Sequence, residues 1–319
     1  MTALHLSCCG LADDSIVDLL IKHNSDVNAC TIEGNTPIHI AAMYGKSENL
    51  IKKLMEAKGD INKTNNDGNL AIHLATYAGN NSNVEYLTKF IDSIDTVNKN
   101  NLTVLHIACS YDNFILIDFF VEKKANPLLQ NHLGESCFHI SAAHGQLGVM
   151  TTFLSQNPSL RSEILSQKDD SGCTPLLSAA TYQRVAIINE LLKYPETSIF
   201  DLDNEKETIL HKLVRFRTSL SDEELNNISE IKTYADDDLN KIVDLVKHLI
   251  SMNANIEAVE CRNQDTPLLI AASISNIPMI KVLLESGADG CAKDKIGYSA
   301  LLLACDKQKL SCVRVLLSL

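Results

Sequence analysis

Residues 35–45 read Asn-Thr-Pro-Ile-His-Ile-Ala-Ala-Met-Tyr-Gly. Thr36 before Pro37 is the start signal of a helix. The threonine hydroxyl accepts from a first-turn N–H, and proline at the first helical position loses only an N–H that has no helical partner. The cadence returns at 103–109, Thr-Val-Leu-His-Ile-Ala-Cys, and at 174–180, Thr-Pro-Leu-Leu-Ser-Ala-Ala. Aligned on Thr36, the equivalent positions are Thr2, Thr36, Leu70, Thr103, Ser136, Thr174, Thr208, Thr266 and Ser299, at intervals of 34, 34, 33, 33, 38, 34, 58 and 33 residues. These are copies of a building block.

Each copy carries two small residues at a fixed place: Ala41-Ala42, Ala75-Thr76, Ala179-Ala180 and Ala271-Ala272. They let neighbouring first helices approach closely. Cys8, Cys109 and Cys305 occupy the second of these positions and are expected to be packing residues. A second amphipathic helix follows, as in Leu50–Met55 and Ile280–Leu284, with apolar residues at helical spacing. Loops such as Gly59-Asp60-Ile61-Asn62 and Gly287-Ala288-Asp289 come next. Asp67-Gly68, Ser171-Gly172 and Ile296-Gly297 mark the turn leading into the following copy. A period near 33 with Thr-Pro-Leu-His-x-Ala resembles the ankyrin repeat. The resemblance implies an all-α solenoid of about nine helix-turn-helix units with short β-turn fingers, stacked because one helix pair cannot bury its own apolar face. As a single array over 1–319, the units fall near 1–31, 32–65, 66–99, 100–131, 132–169, 170–203, 204–261, 262–294 and 295–319.

The chain is 45% hydrophobic and 21% charged, with a net charge of −12. That balance fits an ordered chain and argues against nucleic acid or an anionic membrane surface as partner. The apolar run around Phe114–Val121 contains Asp118 and is too short to span a bilayer, so no direct membrane insertion of these residues is expected. Ten cysteines without a Cys-x-x-Cys pair, and no signal-peptide pattern, place the chain in a reducing compartment, at the cytoplasmic face.

No catalytic, cofactor or metal site is expected. Six of ten histidines (His5, His39, His73, His106, His139 and His211) fall three residues after the capping position. In ankyrin folds that histidine supports the neighbouring loop. Leu177, Leu269 and Leu302 replace it in three repeats, so it needs no ionisation. No zinc-ligand spacing, phosphate loop or nucleophile elbow is present, and Cys8-Cys9 lacks basic neighbours.

The position eight after the cap ends the first helix, where ankyrin arrays meet protein partners or other domains of their own chain. It holds Tyr44, Tyr111, His144, Tyr182 and Phe216. Large amphipathic rings favour binding surfaces, so these five are the candidate partner groove; the other reading is that they cover their own helix pair. The 58-residue interval contains an acidic insertion at 217–240, between the first helix of repeat seven and a second helix at Ile242–Ile250. A solvated loop and a partner or subunit contact are both open readings of it. Neither end carries a polar capping repeat, and the natural polypeptide is expected to continue at both ends, or at least past Leu319.

From repeat seven the likeness narrows. Glu207, Thr208, Leu210, His211, Leu249, Ile250, Ser251, Pro267, Leu268 and Ala271 resemble the mid-array repeats of transient receptor potential channels of the ankyrin type. That resemblance implies the cytosolic regulatory arm of a homotetrameric cation channel in the cell membrane, with the pore outside the repeats. The long insertion departs from the family's pattern. A soluble adaptor or scaffold, binding one protein through the Tyr44–Phe216 surface, is the alternative.

Overall fold

The computed structural model of the chain describes residues 1–9, 14–45, 48–111, 113–216 and 237–318. Among these residues there is no strand; the extended pairing consists of two isolated antiparallel bridges, Val97–Thr103 and Lys293–Ser299. The first helices of the repeats are α1 (Ala3–Ser7), α3 (Pro37–Tyr44), α5 (Ala71–Tyr77), α7 (Val104–Ser110), α9 (Cys137–His144), α12 (Pro175–Thr181), α14 (Ile209–Leu213), α16 (Pro267–Ser273) and α18 (Ala300–Asp306). Their second helices are α2 (Asp14–Lys22), α4 (Glu48–Glu56), α6 (Asn81–Leu87), α8 (Phe114–Glu122), α10 (Leu147–Gln156), α13 (Val185–Leu191), α15 (Asp237–Ser251), α17 (Ile277–Glu285) and α19 (Leu310–Ser318). A 3₁₀ turn at Pro158–Leu160 and the short α11 (Arg161–Ser166) follow α10.

The first helices start where their sequence tells them to. Thr36, Thr103, Thr174, Thr208, Thr266 and Ser299 are extended, and each accepts the N–H three residues on at 3.3–3.5 Å. Pro37, Pro175 and Pro267 occupy the first turn. Leu70 has no acceptor side chain, and there only its backbone N–H is secured, donating to His73 Nδ1 at 3.2 Å. The finger turns need glycine in two respects at Gly68 and Gly172. Both have positive φ (77° and 78°), and a Cβ would lie 2.8 Å from the backbone nitrogen of Lys99 or Asn204 in the next finger.

The described residues gather into two compact units, Met1–Ser141 with Gly148–Phe153, and Ala142–Leu147 with Leu154–Leu319. In the first, α3 packs between α1 and α5, and α5 against α7; α2, α4, α6 and α8 each pack on the first helix of their own repeat, and α4 also meets α6. Ala41, Ala42, Ala75, Thr76, Ala108 and Cys109 are buried in the seams. In the second unit, α12 packs on α14, α14 on α16 and α16 on α18; α15 joins α13 to α17. Ala179, Ala180, Ala271 and Ala272 fill its seams.

Two expectations need correction. Cys8 and Cys109 are buried packing residues, but Cys305 is exposed. Among the described residues no pair covers the outer side of α18, where Leu302 is also exposed. The second helix of repeat seven begins at Asp237, not Ile242. Leu239, Ile242, Val243 and Val246 recur at helical spacing and are all buried, which draws the last residues of the acidic insertion into α15. The remainder of that insertion, 217–236, lies outside the described residues.

Candidate functional site

Five of the histidines at the motif position, His5, His39, His73, His106 and His211, are employed by the scaffold. His39 Nδ1 accepts the N–H of Thr36 at 3.2 Å, and its Nε2 lies 2.9 Å from the carbonyl of Asn69 in the next finger. A carbonyl only accepts, so the proton sits on Nε2 and the ring is neutral. The same bridge joins His5 to Asn35 (2.9 Å), His73 to Thr96 (3.3 Å), His106 to Leu129 (3.0 Å) and His211 to Asp265 (3.1 Å). Burial lowers the pKa of His39, His106 and His211, and takes His73 down to about 4. No ring nitrogen in these five is left over for chemistry. Among the described residues, no group of three His, Cys, Asp or Glu side chains could hold a metal ion, and no helix is long and apolar enough to cross a membrane.

Repeat seven adds a compact ion cluster. Lys212 Nζ lies 2.7 Å from Glu207 and also bonds Asp203, while Arg215 pairs with Glu207. Burial alone would neutralise these groups, yet the mutual hydrogen bonds outweigh it. Lys212 is held above the usual lysine range and Glu207 below the usual carboxylate range. The cluster fastens the finger 203–207 to α14 and leaves no carboxylate of the pair free.

What remains unspent lies at the ends of the first helices. Tyr44, Tyr111 and Tyr182 occupy one register and are 52%, 53% and 56% exposed. In the first unit Tyr111 is joined by Tyr77, one residue earlier in its own repeat. The rings meet edge to face with centroids 4.9 Å apart. Partial burial and the hydrogen bond with Tyr77 push the Tyr111 phenol up to about 12. Tyr77 was not predicted because its register position is Ala78; its ring reaches Tyr111 from one place earlier.

In the second unit His144, Tyr182 and Phe216 line one cleft of about 460 Å³, with Gly145, Arg184, Val185, Asp238 and Lys241. Asp238 and Lys241 pair with each other at 3.2 Å. Arg184 was also missed. It is exposed, its stem lies against Gly145, and its Nε donates to the carbonyl of Ala143 at 2.8 Å. The signal was available in the register: Arg184 precedes a second helix where Asn80, Asn113 and Asn276 stand in other repeats.

Comparison with known proteins fits this geometry. The family model for ankyrin repeats (three copies) matches residues 4–95, 38–131, 72–164 and 235–319. The chain is similar to ankyrin repeat protein nuc-2 of Neurospora crassa, with 23% identity over 236 residues, covering 71% of this chain and 21% of that protein. It is similar to rabankyrin-5 of Mus musculus, with 25% identity over 191 residues, covering 60% of this chain and 14% of that one. A shorter match, 37% identity over 81 residues, joins it to the ankyrin repeat, SAM and basic leucine zipper domain-containing protein 1 of Mustela putorius furo, covering 24% of this chain and 17% of that protein. The chain thus spans a fifth or less of the length of the second and third of these relatives, and 21% of the first.

Proposed function

This chain belongs to the ankyrin-repeat family, and on that premise we propose that it is an interaction array, an adaptor or scaffold that holds a protein partner on the exposed ends of its first helices. The observation that carries the reading is the shared register of Tyr44, Tyr111 and Tyr182, each about half exposed, while the caps, histidines and small residues around them are committed to the scaffold. Half-exposed rings on a rigid element lose little entropy on binding and bring a large contact area. Tyr77 enlarges the surface in the first unit, and the cleft of His144, Tyr182 and Phe216 provides a concave seat in the second.

The channel-arm reading rests on ten residues of repeats seven and eight. Eight of them, Glu207, Thr208, Leu210, His211, Leu249, Pro267, Leu268 and Ala271, are buried and serve the scaffold, Glu207 through its ion pairs, His211 through its bridge to Asp265 and the others by capping or packing. Any repeat at that place needs such residues, so they do not distinguish a channel's array from an adaptor's. None of the relatives named above lends the channel reading support.

The test is partner capture by the intact chain and by two double variants, Tyr77→Ala with Tyr111→Ala, and Tyr182→Ala with Phe216→Ala. The expected result is a protein recovered with the wild type and lost with at least one variant that melts like the wild type. Identical recovery with all three would contradict the reading.

A further inference from the structure

Arg184 stands where three other second helices are preceded by asparagine, while Gln146 and Lys309 hold the same place before Leu147 and Leu310. Where asparagine stands there its side chain caps the helix, and at Asn80 and Asn276 it has a second job. Asn80, Asn113 and Asn276 accept the N–H three residues on, at 3.5, 3.2 and 3.4 Å, and so cap the helix. Asn80 and Asn276 also donate to carbonyls at the end of the preceding repeat's first helix, Gly45 at 2.6 Å, and Val214 and Phe216 at 2.9 and 2.7 Å. Arg184 keeps the second job, through Nε and the Ala143 carbonyl. It abandons the first, because a guanidinium has donors and no acceptor; α13 has no side-chain cap. A lost asparagine cap costs a helix about 1 kcal/mol.

The arrangement of the side chain says what is gained. Its stem rests on Gly145, where a Cβ would lie 3.2 Å from Arg184 Cδ, and the Nε bond fixes the guanidinium plane. The two terminal nitrogens have no partner among the described residues. They sit at the cleft that Tyr182 and Phe216 line, beside the Asp238–Lys241 pair, whose charges cancel. A planar fork with both outer nitrogens free takes a carboxylate end-on through two parallel bonds. The adjoining rings take an apolar side chain.

We propose that this cleft, resting on the reading above that it holds a protein partner, recognises an extended segment with a single carboxylate side chain next to an aromatic or large aliphatic one. One carboxylate and not an acidic run is specified, since a chain of net charge −12 repels a run at long range.

The experiment pans a random peptide display library on the intact chain, then measures fluorescence anisotropy of the enriched peptides with wild type, Arg184→Asn and Tyr182→Ala. Enriched peptides should carry Asp or Glu beside Phe, Tyr, Trp, Leu or Ile. Arg184→Asn should weaken them about tenfold. The same change should raise the melting temperature by about 2 °C, because asparagine restores the cap. A structural role for Arg184 would instead make that variant less stable. Peptides that depend on Tyr182 but are indifferent to Arg184→Asn, or that lack an acidic residue, would overturn the carboxylate specificity and leave the partner cleft standing. Binders indifferent to both variants, or no binder, would overturn both.

Discussion

His73 shows how much a single residue of this chain couples. Its ring ties the start of α5 to the carbonyl of Thr96, and burial takes its pKa from the ordinary 6.5 to about 4. A histidine depressed in the folded state binds its proton more readily when unfolded. Stability is therefore full above about pH 6.5 and falls as pH drops toward 4, by about 3 kcal/mol over that window. His39, His106 and His211 shift the same way. Denaturant melts at stepped pH should show this acid limb, and His73→Leu, the residue type found at 177, 269 and 302, should make it shallower; an unchanged limb would remove His73 from the account. Lys212→Met should cost about 3 kcal/mol by leaving buried Asp203 and Glu207 without their shared cation, read as a lower urea midpoint. The histidine positions were legible because a cap followed three places later by histidine recurs in sequence. Cys305 was not, because its environment depends on which pair covers α18, and periodicity says nothing of that.

At the scale of the element, first helices were legible to the residue and second helices were not. Thr36-Pro37, Thr174-Pro175 and Thr266-Pro267 carry their start signal in adjacent residues, and the caps form where the sequence puts them. Four second helices are preceded by Asn80, Asn113, Arg184 and Asn276, which share one register in the sequence, and their bonds to the preceding repeat give that register its meaning. For α15 the burial of Leu239 moves the start back to Asp237. Asn276→Ala removes both a cap and the links to Val214 and Phe216, and should cost about 2 kcal/mol. That loss would appear as a fall in melting temperature of about 4 °C. Equal melting of variant and wild type would show that these bonds carry no net stability. Gly172→Ala should cost at least about 1 kcal/mol, since φ is +78° and the new Cβ would press on the backbone of Asn204; a neutral midpoint would contradict the packing of the two fingers.

For the whole molecule, the division of labour among side chains carries the argument. Residues that recur with the period build the scaffold, and those that vary at the helix ends are left to bind. Periodicity made the architecture readable, and the candidate groove followed from register alone at Tyr44, Tyr111, His144, Tyr182 and Phe216. It did not reveal Tyr77, whose ring crosses to Tyr111 from a neighbouring position, and it marked the place of Arg184 without showing that its side chain borders the cleft. The central claim is that partners are held at these helix ends, and amide hydrogen exchange of the intact chain with and without a selected peptide tests it most directly. Slower exchange confined to 143–145, 182–187 and 241–242, the backbone around the cleft, is the predicted result. Protection found only in the finger turns 169–173, 203–207 and 260–265, with the cleft unchanged, would contradict it.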